Sequence, residues 1–372
     1  MKVPFFRADI GEKEKSIVAN IMESKKRDNV KKLEKEFAKY IGVSKAVACS
    51  SGTAALHLAM LAINLKRGDK ILCSVNSHPS IAEVVRHFDA EPIFIDVEED
   101  SYNINLNHLE DYLSDNKSRK LKAVIVSHVG GQSVDLERLY NIAKIYNVKI
   151  VEEAHEAFGA TYNGKKIGSL EADITCFNFT PHLKECIYNG GMIVSNDEEL
   201  IERASLLRNH AMTYENSDLG YVYNVVDLGQ EYLMSEIDAG IILAQLEKQD
   251  RAVLRQQEIA KIYLEKLKDA QHITLPPHVK NNSFSLFIIK VNKNRDSFAR
   301  ELLENGIHTG LHYKPMHLLT YYKNKYNFRI NDFPVALKNY GQILSIPIYS
   351  AMSDKEVKFV CDTILEITKT RV

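Results

Sequence analysis

The sequence predicts an α/β protein: a large domain with a mostly parallel central sheet and helices on both faces, then a smaller α+β C-terminal domain. Two observations predict it. Short apolar, β-rich runs alternate with helical patterns through the first part of the chain, as strands buried on both faces do. From about residue 234 the texture changes to one long helical pattern, then to a mixed strand and helix tail. The expected division is 1–240 for the large domain with its N-terminal arm, and 241–372 for the connecting helix and small domain.

Each element has its own signal. Residues 31–42 (KKLEKEFAKYIG) set Leu33, Phe37, Tyr40 and Ile41 on one face and stop at Gly42, the pattern of an amphipathic helix with a glycine end. Strands are expected at 46–50, 70–75, 91–97, 121–129, 148–153 and 190–196, with helices at 53–65, 79–88 and 134–146 between them. MSEIDAGIILAQLEKQDRAVLRQQEIAKIYLEKLKDA reads as the long helix, PPHVKNN as a joint, SFSLFIIKV as a strand and ARELLENG as a helix. A closing helix follows, with Ser353 placed to cap it. YYKNKYNF at 321–328 interleaves tyrosines with basic residues and is expected to be a surface loop.

Composition narrows the function. The chain has 372 residues, 45% hydrophobic and 26% charged, enough to bury a large core. Its 48 basic and 49 acidic residues give a net charge of −1, which argues against nucleic acid as the main partner. There is no apolar run long enough to cross a membrane and no signal-peptide pattern at the start. The five cysteines are scattered and never form CxxC, so neither a disulfide framework nor a structural zinc site is expected, and the expected compartment is the cytoplasm.

Three segments could carry chemistry. In CSSGTAALHLA (49–59) a strand ends, a tight turn follows and a helix opens. Gly52 would let backbone approach an anion, and Thr53 would add a hydroxyl to free helix N–H groups; a plain capped turn fits the same residues. VEEAHEAFGA (151–160) puts Glu152, Glu153, His155 and Glu156 at a strand end, where carboxylates can hold a cationic ring nitrogen, ligate a metal or move protons. The spacing matches no HExxH zinc helix. ITCFNFTPHLKECIYNGGMIVSN (174–196) holds His182 and Lys184 in a polar loop, and a desolvated lysine can bond a carbonyl carbon covalently. His78, His128, His210, His312 and His317 complete the candidate histidines.

These motifs in this order resemble the DegT/StrS family of pyridoxal-phosphate-dependent sugar aminotransferases, of the aspartate-aminotransferase fold type. SGTAALHLA, EPIFIDVEEDSYNIN, VSHVGGQSVDLERLYNIAKIYNV, VEEAHEAFGATYNGKKIGSLEADITCFNF, GGMIVSND, LLRNHAM, SEIDAGIILAQLE and HYKPMHLL carry the resemblance along nearly the whole length. It implies a homodimer with sites built from both subunits, and a nucleotide-linked keto sugar aminated with glutamate as donor for surface glycan synthesis. By position, Gly52, Thr53 and Asn178 would contact the cofactor phosphate and His78 would cover its ring. Glu153 stands where the family has the Asp that pairs with the ring nitrogen, and Glu156 where a Gln or His meets the phenolic oxygen.

The departures cluster at the chemistry. Counted back from Gly190-Gly191, the family's cofactor-bonding lysine falls on Leu183, with Lys184 one residue late. Glu231 replaces an Asn that reaches the partner's cofactor phosphate, and Leu233 replaces an Arg. Three readings stay open: an aminotransferase using Lys184; a pyridoxamine-phosphate-dependent keto-sugar 3-dehydratase using His182, whose FTPHLK is similar to that branch; or a family member without vitamin B6 chemistry, serving as a partner or acting by other means.

Overall fold

The computed structural model describes residues 1–23, 27–180, 187–214, 221–277 and 281–370. Seven strands form the main sheet: β1 (Lys45–Cys49), β2 (Lys70–Ser74), β3 (Glu91–Ile95), β4 (Leu121–Ser127), β5 (Lys149–Glu153), β6 (Ile174–Asn178) and β7 (Gly191–Ser195). Their order across the sheet is β1-β7-β6-β5-β4-β2-β3. Neighbours from β6 to β3 run parallel, and β7 is antiparallel to both β1 and β6. The fold class expected from the sequence is the one found.

Alternation along each strand divides the core into two layers. Ile71 and Cys73 of β2, Ala123 and Ile125 of β4 and Val151 of β5 join the layer under the Gly52–Ala62 helix. Leu72, Val124, Val126 and Ile150 face the other layer, with Leu33 and Phe37 of the Asn29–Ile41 helix and Leu139 of the Leu136–Tyr146 helix. The Asn29–Ile41 helix ends where Gly42 takes φ +92° and returns its N–H to the Ala38 carbonyl at 2.8 Å. That left-handed residue is a glycine stop, as expected from the sequence.

The Glu236–Lys266 helix, 31 residues long, is capped by Ser235, whose hydroxyl accepts the Asp238 N–H at 3.0 Å. Its first turns place Ala239, Ile242 and Leu246 in the large core, and its later turns place Ile259, Ala260 and Tyr263 in a separate one. Residue 240 therefore lies inside a helix shared by both cores. The second core backs on a three-stranded antiparallel sheet of Ile273–Thr274, Phe287–Val291 and Ile343–Ile346. At the Asp354–Thr370 helix the expected cap is reciprocal: the Ser353 hydroxyl accepts the Glu356 N–H at 3.3 Å, and the Glu356 carboxylate accepts the Ser353 N–H at 2.8 Å. This capping box also receives Arg7, at 3.0 Å, from the N-terminal arm.

Two expectations need correction. YYKNKYNF is not a loop: Thr320–Tyr326 is helical, and Tyr322, Tyr326 and Phe328 pack edge-on around Phe94. The tyrosines outweigh the interleaved lysines because their rings cover a strand of the sheet. The strand expected from residue 283 begins at Phe287, because Asn282 and Ser283 turn their side chains to partners outside the sheet: Asn282 accepts the Phe284 N–H and Ser283 donates to the Glu156 carbonyl. Among the described residues, no helix is long and apolar enough to cross a membrane.

Candidate active site

A cleft of about 440 Å³ opens at the carboxyl ends of β1, β5 and β6, lined in part by Ser51, Gly52, Thr53, His78, Glu153, His155, Asn178 and Tyr313. Open α/β sheets bind ligands at this edge. At one end, Ser51 leaves β1 in extended conformation and its hydroxyl accepts the Ala54 N–H at 3.1 Å. The Gly52 and Thr53 amides are the first of the helix and fall outside its internal ladder. Ser51 thus caps the helix and leaves those amides as donors, so the capped turn is compatible with an anion at this end. A Cβ on Gly52 would sit 2.4 Å from Asn178 Cβ, so glycine is what lets β6 pack against this turn.

At the other end stands Glu153. Alternation in β5 sends Glu152 and Glu153 to opposite faces of the sheet. Glu152 is fully buried, accepting the Tyr140 hydroxyl at 2.6 Å and the Thr175 hydroxyl at 3.3 Å, with His128 Nε2 at 3.6 Å. His128 Nδ1 accepts the Val134 N–H at 3.3 Å, which leaves the proton on Nε2, facing Glu152. Glu152 is therefore committed to the fold. Glu153 reaches the cleft, where its carboxylate accepts the His155 backbone N–H at 3.2 Å. Among the described residues, no group of three or more His, Cys, Asp or Glu side chains is set to hold a metal ion.

His78 and Tyr313 form aromatic walls. His78 accepts the Ser80 N–H on Nδ1 at 3.3 Å and meets the Ser80 hydroxyl at 2.9 Å, and its ring stands edge-on to Tyr313 with centroids 6.4 Å apart. Tyr313 is pinned by its own N–H to the Asn76 side chain at 3.1 Å. Asn178 accepts the Thr180 N–H at 3.1 Å, and its carbonyl lies 2.9 Å from His155 Nδ1. Nothing local in HYKPMHLL marks Tyr313 as a site residue; only the fold brings it to β5.

Glu156 lies behind the cleft. It is buried, its carboxylate accepting the Gly130 N–H at 2.5 Å and bonded to the Tyr313 hydroxyl. Burial raises its pKa, against the hydrogen bonds from Tyr313 and Gly130. Glu231 is exposed, outside this cleft, with His210 Nε2 3.9 Å away. His182, Leu183 and Lys184 lie outside the described residues.

Burial pushes His57 and His312 down to about 4 from the ordinary 6.5. Both rings are thus neutral in the fold, and between pH 6.5 and 4 the unfolded chain binds more protons. Stability from these groups is present above pH 6.5 and is lost as pH falls toward 4. Denaturant midpoints measured from pH 7 to 4.5 are expected to fall, and His312→Gln is expected to flatten that fall.

The site is thus a crevice at the carboxyl edge of a doubly flanked sheet, with a helix amino end and a carboxylate lining the same cleft. The chain belongs to the DegT/DnrJ/EryC1/StrS aminotransferase family, whose model matches residues 8–365. Relatives include the spore coat polysaccharide biosynthesis protein SpsC of Bacillus subtilis, 30% identical over 99% of this chain and 97% of its own. GDP-perosamine synthase of Escherichia coli O157:H7 is 27% identical over 98% of each chain. Among solved structures, the putative sugar aminotransferase Spr1654 of Streptococcus pneumoniae, in its PLP-form, superposes with a TM-score of 0.90 at 25% identity, covering 99% of both chains.

Proposed function

We propose that this protein is a pyridoxal-phosphate-dependent aminotransferase that converts the keto group of a nucleotide-linked sugar to an amine, with glutamate as donor, in glycan synthesis. The observation that carries this reading is the pairing, across one cleft, of a helix amino end at Gly52 and Thr53 with the Glu153 carboxylate. The two ends suit the two ends of the cofactor. Helix N–H groups and the Thr53 hydroxyl suit a phosphate, with Asn178 beside them, and a carboxylate suits a protonated ring nitrogen. His78 would cover the ring face, and Glu156 sits behind the edge where the phenolic oxygen would lie. When bound, the cofactor supplies an electron sink for negative charge on the carbon bearing the amino group.

The chain's own residues do the rest. Glu153 would hold a proton on the ring nitrogen, the Gly52 turn would hold the phosphate, and Lys184 would hold the cofactor and move the proton, while the transferred amino group comes from glutamate. A second cavity of about 180 Å³ adjoins the cleft and shares His155, Asn178 and Thr180 with it. It is lined in part by Gln245, Gln249, Gln256, Ser283 and Ser285, beside Arg7, Asp9 and Glu156, hydrogen-bonding groups of the kind that recognise sugar hydroxyls. The Ser285 hydroxyl is buried without a partner among the described residues. The names of two relatives, a GDP-perosamine synthase and a spore coat polysaccharide biosynthesis protein, support a nucleotide-sugar substrate and a role in glycan synthesis. The direct test is glutamate-dependent amination of a GDP-4-keto-6-deoxy sugar, abolished by Lys184→Ala. Amination that survives Lys184→Ala contradicts the assigned lysine.

The reading includes a homodimer. Tyr221, Tyr223, Val225, Val226 and Leu228 are 71%, 57%, 53%, 54% and 78% exposed, too many neighbouring apolar side chains for a solvated surface. They lie beside Glu231, the residue expected to approach the partner's phosphate end. Leu228→Glu combined with Val226→Glu is expected to give a monomer by light scattering, with cofactor affinity lowered at least tenfold; an unchanged dimer would contradict this face as the interface.

A further inference from the structure

Glu156 and Tyr313 form a pair whose geometry has two proton arrangements. Glu156 is buried, with Oε2 fixed as an acceptor by the Gly130 N–H at 2.5 Å. Its other oxygen meets the Tyr313 hydroxyl, and Tyr313 also lines the cleft that Glu153 enters. If Glu156 is ionised, the Tyr313 proton must point at it. If Glu156 is the neutral acid, its own O–H donates to the Tyr313 oxygen, and the tyrosine proton is released toward the cleft.

Electrostatics selects between them. The titratable groups acting on Glu156 are Glu153 and His155 from its own strand end and Tyr313 across from it. Among the described residues, the groups that bond it from other elements besides Tyr313 are neutral: the Gly130 N–H, and the Ser283 hydroxyl, which donates to the Glu156 backbone carbonyl at 2.9 Å; Arg7 and Asp9 line the adjoining cavity that Glu156 borders. Two carboxylates at one strand end do not both ionise readily, and the one without water is the one that keeps its proton. Glu153 faces the open cleft; Glu156 lies behind Tyr313 and is 5% exposed, at the edge of the second cavity.

We propose that Glu156 is a positioning residue held as a neutral carboxylic acid, which by donating to the Tyr313 oxygen turns the Tyr313 hydroxyl into a hydrogen-bond donor aimed at an oxygen of the bound cofactor or substrate. This deepens the cofactor reading above and rests on it only for what the hydroxyl meets. Each group donates one proton and keeps it, so no co-reactant is needed. A glutamine at 156 would donate without titrating; a glutamate makes the same donation dependent on pH.

Infrared difference spectra of the cofactor-free protein test this without requiring cofactor binding. At pH 7, the spectrum is expected to hold a protonated-carboxyl carbonyl band that Glu156→Gln removes and Tyr313→Phe shifts. The band is expected to vanish as the pH is raised through the Glu156 ionisation. In loaded protein, pyridoxal phosphate affinity is expected to fall over the same pH range in the unaltered protein, with that fall lost in Glu156→Gln. Absence of the band at pH 7, or a band indifferent to both substitutions, overturns the proposal. If Glu156→Gln fails to fold, the shift in Tyr313→Phe decides alone. A band present in a protein that never binds pyridoxal phosphate overturns the cofactor reading and leaves the neutral acid standing.

Discussion

Glu153→Gln is expected to lower amino transfer by about 10²–10³-fold, the usual loss when one preorganised electrostatic group is removed from a reacting centre, while the folded chain keeps its stability. The asymmetry follows from the geometry. Apart from the cleft, the Glu153 carboxylate serves one backbone N–H, that of His155, at 3.2 Å, and a glutamine carbonyl accepts that bond equally well. What glutamine cannot do is hold a proton on a pyridine nitrogen by its charge. Steady-state kinetics beside a denaturant melt checks both halves; equal losses of activity and stability would make Glu153 a structural residue. Glu152→Gln is the contrasting case, because that carboxylate is buried among Tyr140, Thr175 and His128, and stability is expected to fall there by about 1–3 kcal/mol.

Gly191→Ala is expected to destabilise the protein by about 3 kcal/mol, at the upper end of the usual cost of overpacking, and to abolish cofactor binding with it. A Cβ at 191 would lie 2.1 Å from the Ser51 carbonyl oxygen and 2.5 Å from its carbon. These are backbone atoms and cannot rotate away. Gly191 pairs with Cys49 of β1 and with Asn178 of β6, so relief requires moving β1 or the Ser51 turn that opens the helix. A thermal melt with and without pyridoxal phosphate checks this: the variant is expected to melt lower and to lose the ligand-induced rise. A variant as stable as the parent would show that β1 and β7 have slack here. At Gly68, by contrast, an added Cβ would meet nothing within 4 Å, and the φ of +77° makes any cost at that position purely conformational.

The fold was legible in the sequence because its signals are local and periodic. Ile71, Leu72 and Cys73, or Val124, Ile125 and Val126, are continuous apolar runs that only a sheet covered on both faces buries. Glycines mark the Gly42 stop and the entry to β7. The YYKNKYNF segment misled because its lysines are spaced as on a polar surface, while the residue that decides its fate, Phe94, is more than two hundred positions away. The site was legible only in part. Glu152 and Glu153 are equal in sequence, and the alternation of β5 separates a buried structural acid from a cleft acid. Glu156 stands in a recognisable motif, yet its partner Tyr313 comes from a distant segment held by the Gly310–Ser345 bridge and by the Tyr313 N–H bond to Asn76.

Trapping the cofactor is the most direct measurement of the central claim. The purified protein would be saturated with pyridoxal phosphate, its absorbance recorded, and the complex reduced with borohydride before peptide mapping. The account predicts a new cofactor absorbance and a reduced adduct on Lys184, both lost in Lys184→Ala. Retention of pyridoxamine phosphate without any adduct would contradict it in favour of dehydration through His182. No spectral change at saturation would contradict it outright, and would mean that Glu153, the Gly52 turn and Glu231 no longer hold a vitamin B6 cofactor.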